Sequence, residues 1–278
     1  MAGLFGMFNY QKEGPGIDKD APPEPRIVVF FRVIGRKFWN LISINLLYFV
    51  FNIPAIPAMM AVMMFAFPAE ISGDALLDIL IRFALGTFLL CVPVIAVGPA
   101  QSGLTYILRN YSNEEHAFIW MDFKDAAKKN LKQSLLISAI DFLIVIALCI
   151  AVNFYLGYPD GGTFMKIIAG FVIMAFIMFM MMHIYIYPML VTFNLKLRDI
   201  YKNALIFAVM KFIPNLGILA VCFLLSAAVF FLNTVAGFVF YILIAGSITG
   251  IIMNFYSNPV LVKYLSSEEN KKESASDI

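Results

Sequence analysis

Residues 134–156 have the sequence SLLISAIDFLIVIALCIAVNFYL, an apolar run whose one side chain charged at neutral pH in its ordinary state is Asp141. The hydrocarbon core of a bilayer is about 30 Å thick and a helix rises about 1.5 Å per residue, so about 20 apolar residues span it. This run is therefore predicted to be a transmembrane helix. Five further runs are comparable: 38–66, 76–97, 164–187, 214–232 and 235–256. The sequence predicts an all-α, polytopic bundle of six transmembrane helices.

The composition argues against a soluble globular protein. Hydrophobic residues make up 62% of the 278 positions and charged residues 14%, and the mean hydropathy is +0.86, which leaves too little polar surface to cover a soluble fold. The net charge of +2 gives no indication of a nucleic-acid partner. Cys91, Cys149 and Cys222 lie singly inside apolar runs, so we expect neither a metal site nor a cofactor.

Basic segments alternate with bare or acidic segments along the chain and predict its orientation. Lys and Arg precede the first run, separate the second from the third and the fourth from the fifth, and follow the sixth: Arg26, Arg32, Arg36, Lys37; Arg109, Lys124, Lys128, Lys129, Lys132; Lys196, Arg198, Lys202, Lys211; Lys263, Lys271, Lys272. The other loops carry Glu70, Asp74 and Asp160, with Lys166 near them. Because cytoplasmic loops retain Lys and Arg, both termini are predicted to be cytoplasmic.

The same pattern predicts how the chain is divided. Residues 26–265 are expected to form the membrane domain. Residues 1–25 are expected to be a flexible cytoplasmic leader, and residues 266–278 a disordered polar tail.

The predicted cytoplasmic segment 117–133 has the period of an amphipathic helix. Its polar and apolar residues alternate so that one helical face is apolar. We expect an interfacial helix here, and similar stretches precede the first and fifth runs, near residues 30–38 and 196–205. Candidate residues for docking a partner protein or anionic lipid are Phe123, Lys124, Asp125, Lys128 and Lys129.

Three polar residues inside the runs are candidates for a functional site. Asn45, Asp141 and His183 lie in the first, third and fourth runs, toward the predicted inner side. Ionisable groups are costly in hydrocarbon and need a partner or a watery cavity. If the three helices touch, these residues form one polar cluster. Such a cluster either binds a ligand or moves a proton, or it only joins the helices by hydrogen bonds.

Prolines and glycines predict local features of the runs. Pro54 and Pro57 predict a kink in the first run, or an exposed ion or substrate site. Each even-numbered run ends near a proline at the inner face: Pro99, Pro188 and Pro259. This pattern indicates either three hairpin units repeated along the chain or only the tendency of proline to end a membrane helix. Gly246 and Gly250 form a GxxxG motif, which allows close helix packing within the chain or between two copies in a homo-oligomer.

A polar leader precedes the first run, and short motifs follow it as far as the third. They are Phe8–Tyr10, Gly14–Pro22, Phe31, Arg36–Trp39, Leu41, Asn45–Tyr48, Pro54, Pro57, Val97–Ala100, Asp122–Lys124, Lys129–Asn130 and Lys132–Ser134. This set resembles the YesL-like family of bacterial integral membrane proteins, which carry a domain of unknown function. The resemblance implies a bacterial inner-membrane location and a link to carbohydrate ABC importers, and it supplies no catalytic residues.

Two functions from different classes remain open. The chain has no HExxH, GxSxG or P-loop motif and only two histidines, so an enzyme is not expected. The first hypothesis is an accessory or regulatory component of oligosaccharide uptake, with importer permease subunits as partners. The alternative is a small self-contained transporter or channel with a polar site near Asn45, Asp141 and His183. A continuous polar cavity favours transport, and a tightly packed apolar bundle favours the accessory role.

Overall fold

The structure, a computed structural model, describes residues 24–66, 72–157 and 162–266. Every regular element in these ranges is helical. The helices are α1 (Arg26–Asn52), α2 (Ala55–Ala66), α3 (Ala75–Cys91), α4 (Gly98–Ser112), α5 (Ile119–Lys129), α6 (Leu131–Gly157), α7 (Gly162–Thr192), α8 (Leu197–Met210), α9 (Phe212–Leu232), α10 (Thr234–Phe240) and α11 (Gly246–Leu261). π-Helical turns follow α10 (Tyr241–Ala245) and α11 (Val262–Ser266). The predicted leader and tail, with Glu70 and Asp160, lie almost entirely outside the described residues.

Four helices are long and apolar enough to cross a membrane. They are Leu131–Gly157, Gly162–Thr192, Phe212–Leu232 and the continuous segment Thr234–Leu265, and they correspond to the runs predicted at 134–156, 164–187, 214–232 and 235–256. A fifth candidate is the pair α1 and α2, if the two count as one bent span. The protein is thus all-α in its described part, with four to five candidate membrane-spanning helices.

The first predicted run is interrupted where its prolines indicate. Helix α1 ends at Asn52, Ile53 and Pro54 form a turn, and α2 continues at an angle of 70°. The predicted kink is therefore confirmed as a complete break. The amphipathic stretch near residues 30–38 is not a separate interfacial helix, because it is continuous with the rest of α1. The corresponding stretch before the fifth run does form a separate helix, α8.

The second predicted run, 76–97, is also interrupted. Helix α3 has 17 residues and ends at Cys91, and the chain is irregular up to α4, which begins at Gly98. Asn52 Oδ1 accepts a hydrogen bond of 2.7 Å from the Val97 amide, and Ser138 Oγ donates one of 2.7 Å to the Ala96 carbonyl. Irregular backbone in an apolar medium needs such partners. The two interrupted helix pairs are thus joined at their breaks.

The prolines near the inner ends of the even-numbered spans lie close to helix ends but do not terminate those helices. Pro99 lies in the first turn of α4, and Pro188 and Pro259 lie inside α7 and α11. Proline removes one amide donor, which suits the first turn of a helix. Within membrane helices, packing against neighbours and local π-helical adjustment compensate the carbonyl that proline leaves free, and a π-helical turn does follow Pro259.

Two hydrophobic clusters hold the helices together. The larger one is built mainly from α2, α3, α6, α7, α8, α9 and α11. The smaller one joins α1, α4, α5 and α11 through residues such as Leu41, Leu104, Leu108, Phe123 and Ile251. Helix α4 is buried along most of its length, so it connects the interrupted helices to the rest of the bundle.

Contacts bring the basic segments to one end of the bundle. Arg32 and Arg36, near the start of α1, pair with Glu114 in the loop after α4. Asn258 on α11 donates to Asn113 in the same loop. At the start of α6, Gln133 donates to the Leu195 carbonyl between α7 and α8 (3.4 Å), and Phe207 of α8 packs on Tyr264 after α11. The described parts of the four basic segments therefore share one end.

Candidate functional site

A buried acid and base meet between α6 and α7. Asp141 Oδ2 and His183 Nε2 are 3.0 Å apart, and the two side chains are 1% and 0% exposed. Neither atom has another hydrogen-bond partner among the described residues. An unpaired charge is costly at this depth, and the contact explains how both ionisable groups are accommodated in apolar helices.

A hydrogen bond made by the His183 ring indicates which of its nitrogens carries a proton. A carbonyl oxygen only accepts, so the 2.8 Å contact of His183 Nδ1 with the Phe179 carbonyl requires a proton on Nδ1. His183 Nε2 then lies within ion-pair distance of Asp141 Oδ2. A carboxylate paired with an imidazolium, or a carboxylic acid beside a neutral imidazole, is neutral overall, which suits a buried site.

A third residue reaches the pair from outside the membrane-spanning helices. Tyr201 on α8 donates its hydroxyl to Asp141 Oδ1 at 2.6 Å. Burial raises the pKa of Tyr201 above its ordinary value, and the Asp141 carboxylate raises it further. Tyr201 therefore stays a donor at neutral pH. We call Asp141, His183 and Tyr201 the buried triad.

The structure places Asn45 elsewhere, which corrects the predicted cluster. Asn45 Nδ2 donates to the carbonyls of Tyr241 (3.0 Å) and Ile242 (2.8 Å), and its Oδ1 accepts from the Ser247 amide (2.8 Å). These groups belong to the π-helical turn after α10 and the start of α11. A π-helical turn displaces carbonyls from the regular pattern, so Asn45 bonds to that turn and joins α1 to the last helix.

The sequence did not predict a further buried hydrogen-bond network, which is centred on Asn215. Asn215 Oδ1 accepts hydroxyl hydrogen bonds from Tyr185 (2.6 Å) and Tyr256 (2.8 Å), and its Nδ2 donates to the Phe207 carbonyl (3.1 Å). This one amide connects α7, α9 and α11 to the end of α8. The available signal was an Asn at the start of an otherwise apolar run, with tyrosines near the same end of two other runs.

The predicted docking residues separate into two groups. Phe123 is buried, and its ring packs on Gly103 of α4 and 5.8 Å from the Phe51 ring of α1. It therefore holds α5 in place and is not available to a partner. The other four predicted docking residues are exposed: Lys124, Asp125, Lys128 and Lys129. Trp120 is also exposed on α5.

The GxxxG motif packs within the chain. A Cβ atom added at Gly246 would lie 3.0 Å from Asn45 Oδ1, and one at Gly250 would lie 2.6 Å from Leu108 Cδ1. Both glycines thus allow α11 to approach α1 and α4 closely.

Three cavities among the described residues lie away from the buried triad. One of about 310 Å³ lies beneath α5, against Phe51 and Trp120. A second, of about 150 Å³, is lined by methionines of α2, Arg82 and neighbours on α3. The third, of about 650 Å³, opens between the α5–α6 junction and the end of α7.

Within the described ranges, no group of three His, Cys, Asp or Glu residues is arranged to hold a metal ion.

Residues 38–154 match the family described as Protein of unknown function, DUF624. No curated protein and no solved structure matches the chain. The matched region begins in α1 and ends in α6, and so includes Asn45, Asp141 and the whole of α5, whereas His183 and Tyr201 lie beyond it. The described part of the chain is thus a helical bundle with four to five candidate membrane-spanning helices, and residues 38–154 match DUF624.

Proposed function

We propose that the protein is an accessory or regulatory membrane component that binds a partner through its basic end. The observation that carries this proposal is the contrast between buried and exposed polar groups. Asp141, His183 and Asn45 are buried, whereas Lys124, Lys128 and Lys129 are exposed on a helix whose other face is anchored. Exposed charges on a rigid element suit recognition of a partner.

The orientation follows from the same end of the bundle. Because all four basic segments meet there, the positive-inside rule supports a cytoplasmic location for this end and for both termini. In this orientation the exposed face of α5 is accessible to cytoplasmic or membrane-embedded partners. The six-span topology is retained in the proposal, with α1–α2 and α3–α4 as two interrupted spans.

The resemblance to the YesL-like family supports the choice of partner. It points to carbohydrate utilisation in a bacterial inner membrane, with permease subunits of an oligosaccharide importer as partners. No enzymatic role is proposed. The mixed charge on α5, with Asp125 beside the lysines, suits a protein surface as well as anionic lipid.

Gentle solubilisation of the tagged protein from its native membrane, followed by mass spectrometry, tests this proposal. Permease subunits are expected at near-stoichiometric yield with the wild type and much reduced yield with the variant Lys124→Glu/Lys128→Glu/Lys129→Glu. A matched control is Arg198→Glu/Lys202→Glu/Lys263→Glu, which reverses three other exposed charges at the same end. Recovery of the wild-type protein without permease subunits would count against the accessory role.

A self-contained proton-coupled transporter is the second candidate, and the buried contact between the Asp141 carboxyl and the His183 imidazole favours it. Its test is proton uptake into liposomes that contain the purified protein and a pH-sensitive dye. A transporter requires uptake that Asp141→Asn abolishes while the protein remains folded. Equal uptake in liposomes with and without the protein would eliminate this candidate.

A further inference from the structure

The cavity beneath α5 has an apolar interior. Its volume of about 310 Å³ is within the range of small-ligand pockets. Its walls come from the end of α1, the start of α4 and one face of α5: Phe51, Val97, Pro99, Ala100, Phe123 and Ala127. The Val97 amide is bonded to Asn52, and proline has no amide hydrogen, so Val97 and Pro99 offer no free backbone donor. The interior therefore suits an apolar group.

The cavity lies beside an exposed apolar surface. Val50 and Ile53, close to Phe51 in the chain, are large apolar side chains that are exposed at the end of α1 and in the turn before α2. Helices α1 and α2 together form a candidate bent span, so these side chains suit contact with lipid chains. Trp120 is exposed at the cavity, with its ring 6.4 Å from that of Phe51. Tryptophan favours the boundary between hydrocarbon and headgroups, so the cavity is expected at that boundary.

Positive charge adjoins the apolar interior. Lys124 and Lys128 lie one turn apart on α5, line the cavity and are exposed. The residues that line it include no carboxylate, and the ion pairs between described residues involve Arg32, Arg36 and His183. Lysine packs its methylene stem on an apolar surface and keeps its ammonium group in water. Two exposed lysines alone attract any anion, whereas lysines beside an apolar cavity favour an anion that carries a hydrocarbon chain.

We infer that this cavity, which we call the α5 cavity, binds one acyl chain of an anionic phospholipid. The chain packs on Phe51, Trp120 and Phe123, and the headgroup lies near the ammonium groups of Lys124 and Lys128. The exposed apolar side chains around the cavity favour a lipid over a segment of a partner protein, because they extend the lipid-contacting surface up to its entrance. The inference does not rest on the proposed protein partner.

Quenching of tryptophan fluorescence tests the inference, because the chain has two tryptophans, Trp39 and Trp120. Trp39→Phe leaves Trp120 as a reporter at the cavity. Trp120→Phe leaves Trp39, which is exposed on α1 and does not line the cavity, as a reporter of general lipid contact. The full chain in a neutral detergent is titrated with phosphatidylglycerol or phosphatidylcholine that carries brominated acyl chains. Bromine quenches a tryptophan only at close range.

The two reporters are expected to respond differently. Quenching of Trp120 should need at least about tenfold less brominated phosphatidylglycerol than brominated phosphatidylcholine, since each lysine near an anionic headgroup contributes to binding. Trp39 should show no such preference between the two lipids. A preference confined to Trp120 assigns the lipid to the α5 cavity.

One pair of variants tests the cavity without changing charge. In the Trp39→Phe background, Ala127→Phe fills the interior and is expected to weaken the quenching of Trp120 by phosphatidylglycerol at least about tenfold. Met121→Phe is its control, because Met121 is exposed on the same helix and does not line the cavity. Thermal unfolding compares the stability of both variants.

A second pair tests the charge and gives an answer even when Ala127→Phe is unfolded, since its lysines are exposed. Lys124→Gln/Lys128→Gln is expected to lower the affinity for phosphatidylglycerol to that for phosphatidylcholine. Lys129→Gln/Lys132→Gln removes the same charge from neighbouring positions that do not line the α5 cavity, and it should retain the preference.

Three results would overturn the inference. The first is equal quenching of Trp120 by the two lipids. The second is an equal loss of preference in the two lysine double variants. The third is unchanged quenching in folded Ala127→Phe together with loss of a co-purified protein or of a homodimer, which would show that the cavity accommodates a protein segment.

Discussion

The hydroxyl of Tyr201 and the carboxylate of Asp141 are joined by a 2.6 Å hydrogen bond between an amphipathic helix and the interior of the bundle. Helix α8 is not among the candidate membrane-spanning helices, yet its tyrosine completes a site formed by α6 and α7. Any displacement of α8 therefore changes the surroundings of the Asp141–His183 pair. This contact couples the basic end of the protein to a buried pair of ionisable groups.

Tyr201→Phe removes this hydrogen bond and leaves the ring in place. Hydrogen bonds to charged groups contribute about 1.5–3 kcal/mol, so the free energy of unfolding is expected to fall by about that amount. Thermal unfolding in detergent measures the change. Tyr106→Phe is the control, because that half-buried ring stacks with Arg109 and keeps the stacking as phenylalanine. Equal stability of Tyr201→Phe and wild type would show that the bond is not maintained.

The raised pKa of Tyr201 predicts a pH dependence with a defined sign. The unfolded tyrosine loses its proton near pH 10, whereas the folded residue holds it to higher pH because of burial and Asp141. Above about pH 10 the folded state therefore binds more protons than the unfolded state, and stability falls as pH rises. Wild-type stability is expected to decrease more steeply than that of Tyr201→Phe between about pH 10 and 11. Parallel slopes would contradict the prediction.

Asp141 and His183 are expected to behave as a coupled pair. Removing one partner of a buried pair leaves the other uncompensated and costs about 3–5 kcal/mol, whereas replacing both with apolar residues is often close to neutral. Asp141→Leu and His183→Leu should each lower stability strongly. The double variant should be more stable than either single variant in a double-mutant cycle. Additive losses would show that the side chains do not interact.

Substitution of glycine by alanine is expected to have opposite effects on stability at Gly98 and at Gly35. A Cβ atom at Gly98 would overlap the backbone carbonyl of Ser134, whereas one at Gly35 has no atom within 4 Å. Backbone cannot yield as a flexible side chain does, so Gly98→Ala is expected to cost about 3 kcal/mol or more. Gly35→Ala, on an exposed part of α1, is expected to be neutral or to stabilise by up to about 1 kcal/mol. Fluorescence size-exclusion chromatography and thermal unfolding compare the two variants.

The sequence predicted the features that depend on hydrophobicity alone. Runs such as 134–156 and 214–232 form single helices because the length of an apolar segment decides whether it can span a bilayer. The meeting of Asp141 with His183 was also predictable, since ionisable residues in apolar helices need partners. The contact of Tyr201 with Asp141 was not predictable, because a tyrosine on an amphipathic helix is ordinary at a membrane interface.

Other features depend on three-dimensional relationships that no single run contains. The bond from Val97 to Asn52 requires that two helices break at the same place. Prolines mark both breaks, Pro54 in the first and Pro93 in the second, but the sequence does not show that the two breaks are neighbours. The sequence shows how deep Asn45 lies along the first run but not which neighbouring helix its side chain faces. The predicted partners of Asn45 were therefore wrong. Its partners are carbonyls released by a π-helical turn, and composition does not reveal such a turn.

Asn45 also provides a test that separates a structural role from transport. Asn45→Leu deprives the Ser247 amide and the carbonyls of Tyr241 and Ile242 of their side-chain partner, in a region that excludes water. Unsatisfied buried groups cost about 1–3 kcal/mol each, so stability is expected to fall by about 2–4 kcal/mol in thermal unfolding. Asn40→Leu, which loses one 3.3 Å bond to the Tyr111 hydroxyl at a half-buried position, should cost less. If Asn45→Leu left stability unchanged but altered flux in liposomes, Asn45 would belong to a translocation path and the structural assignment would fail.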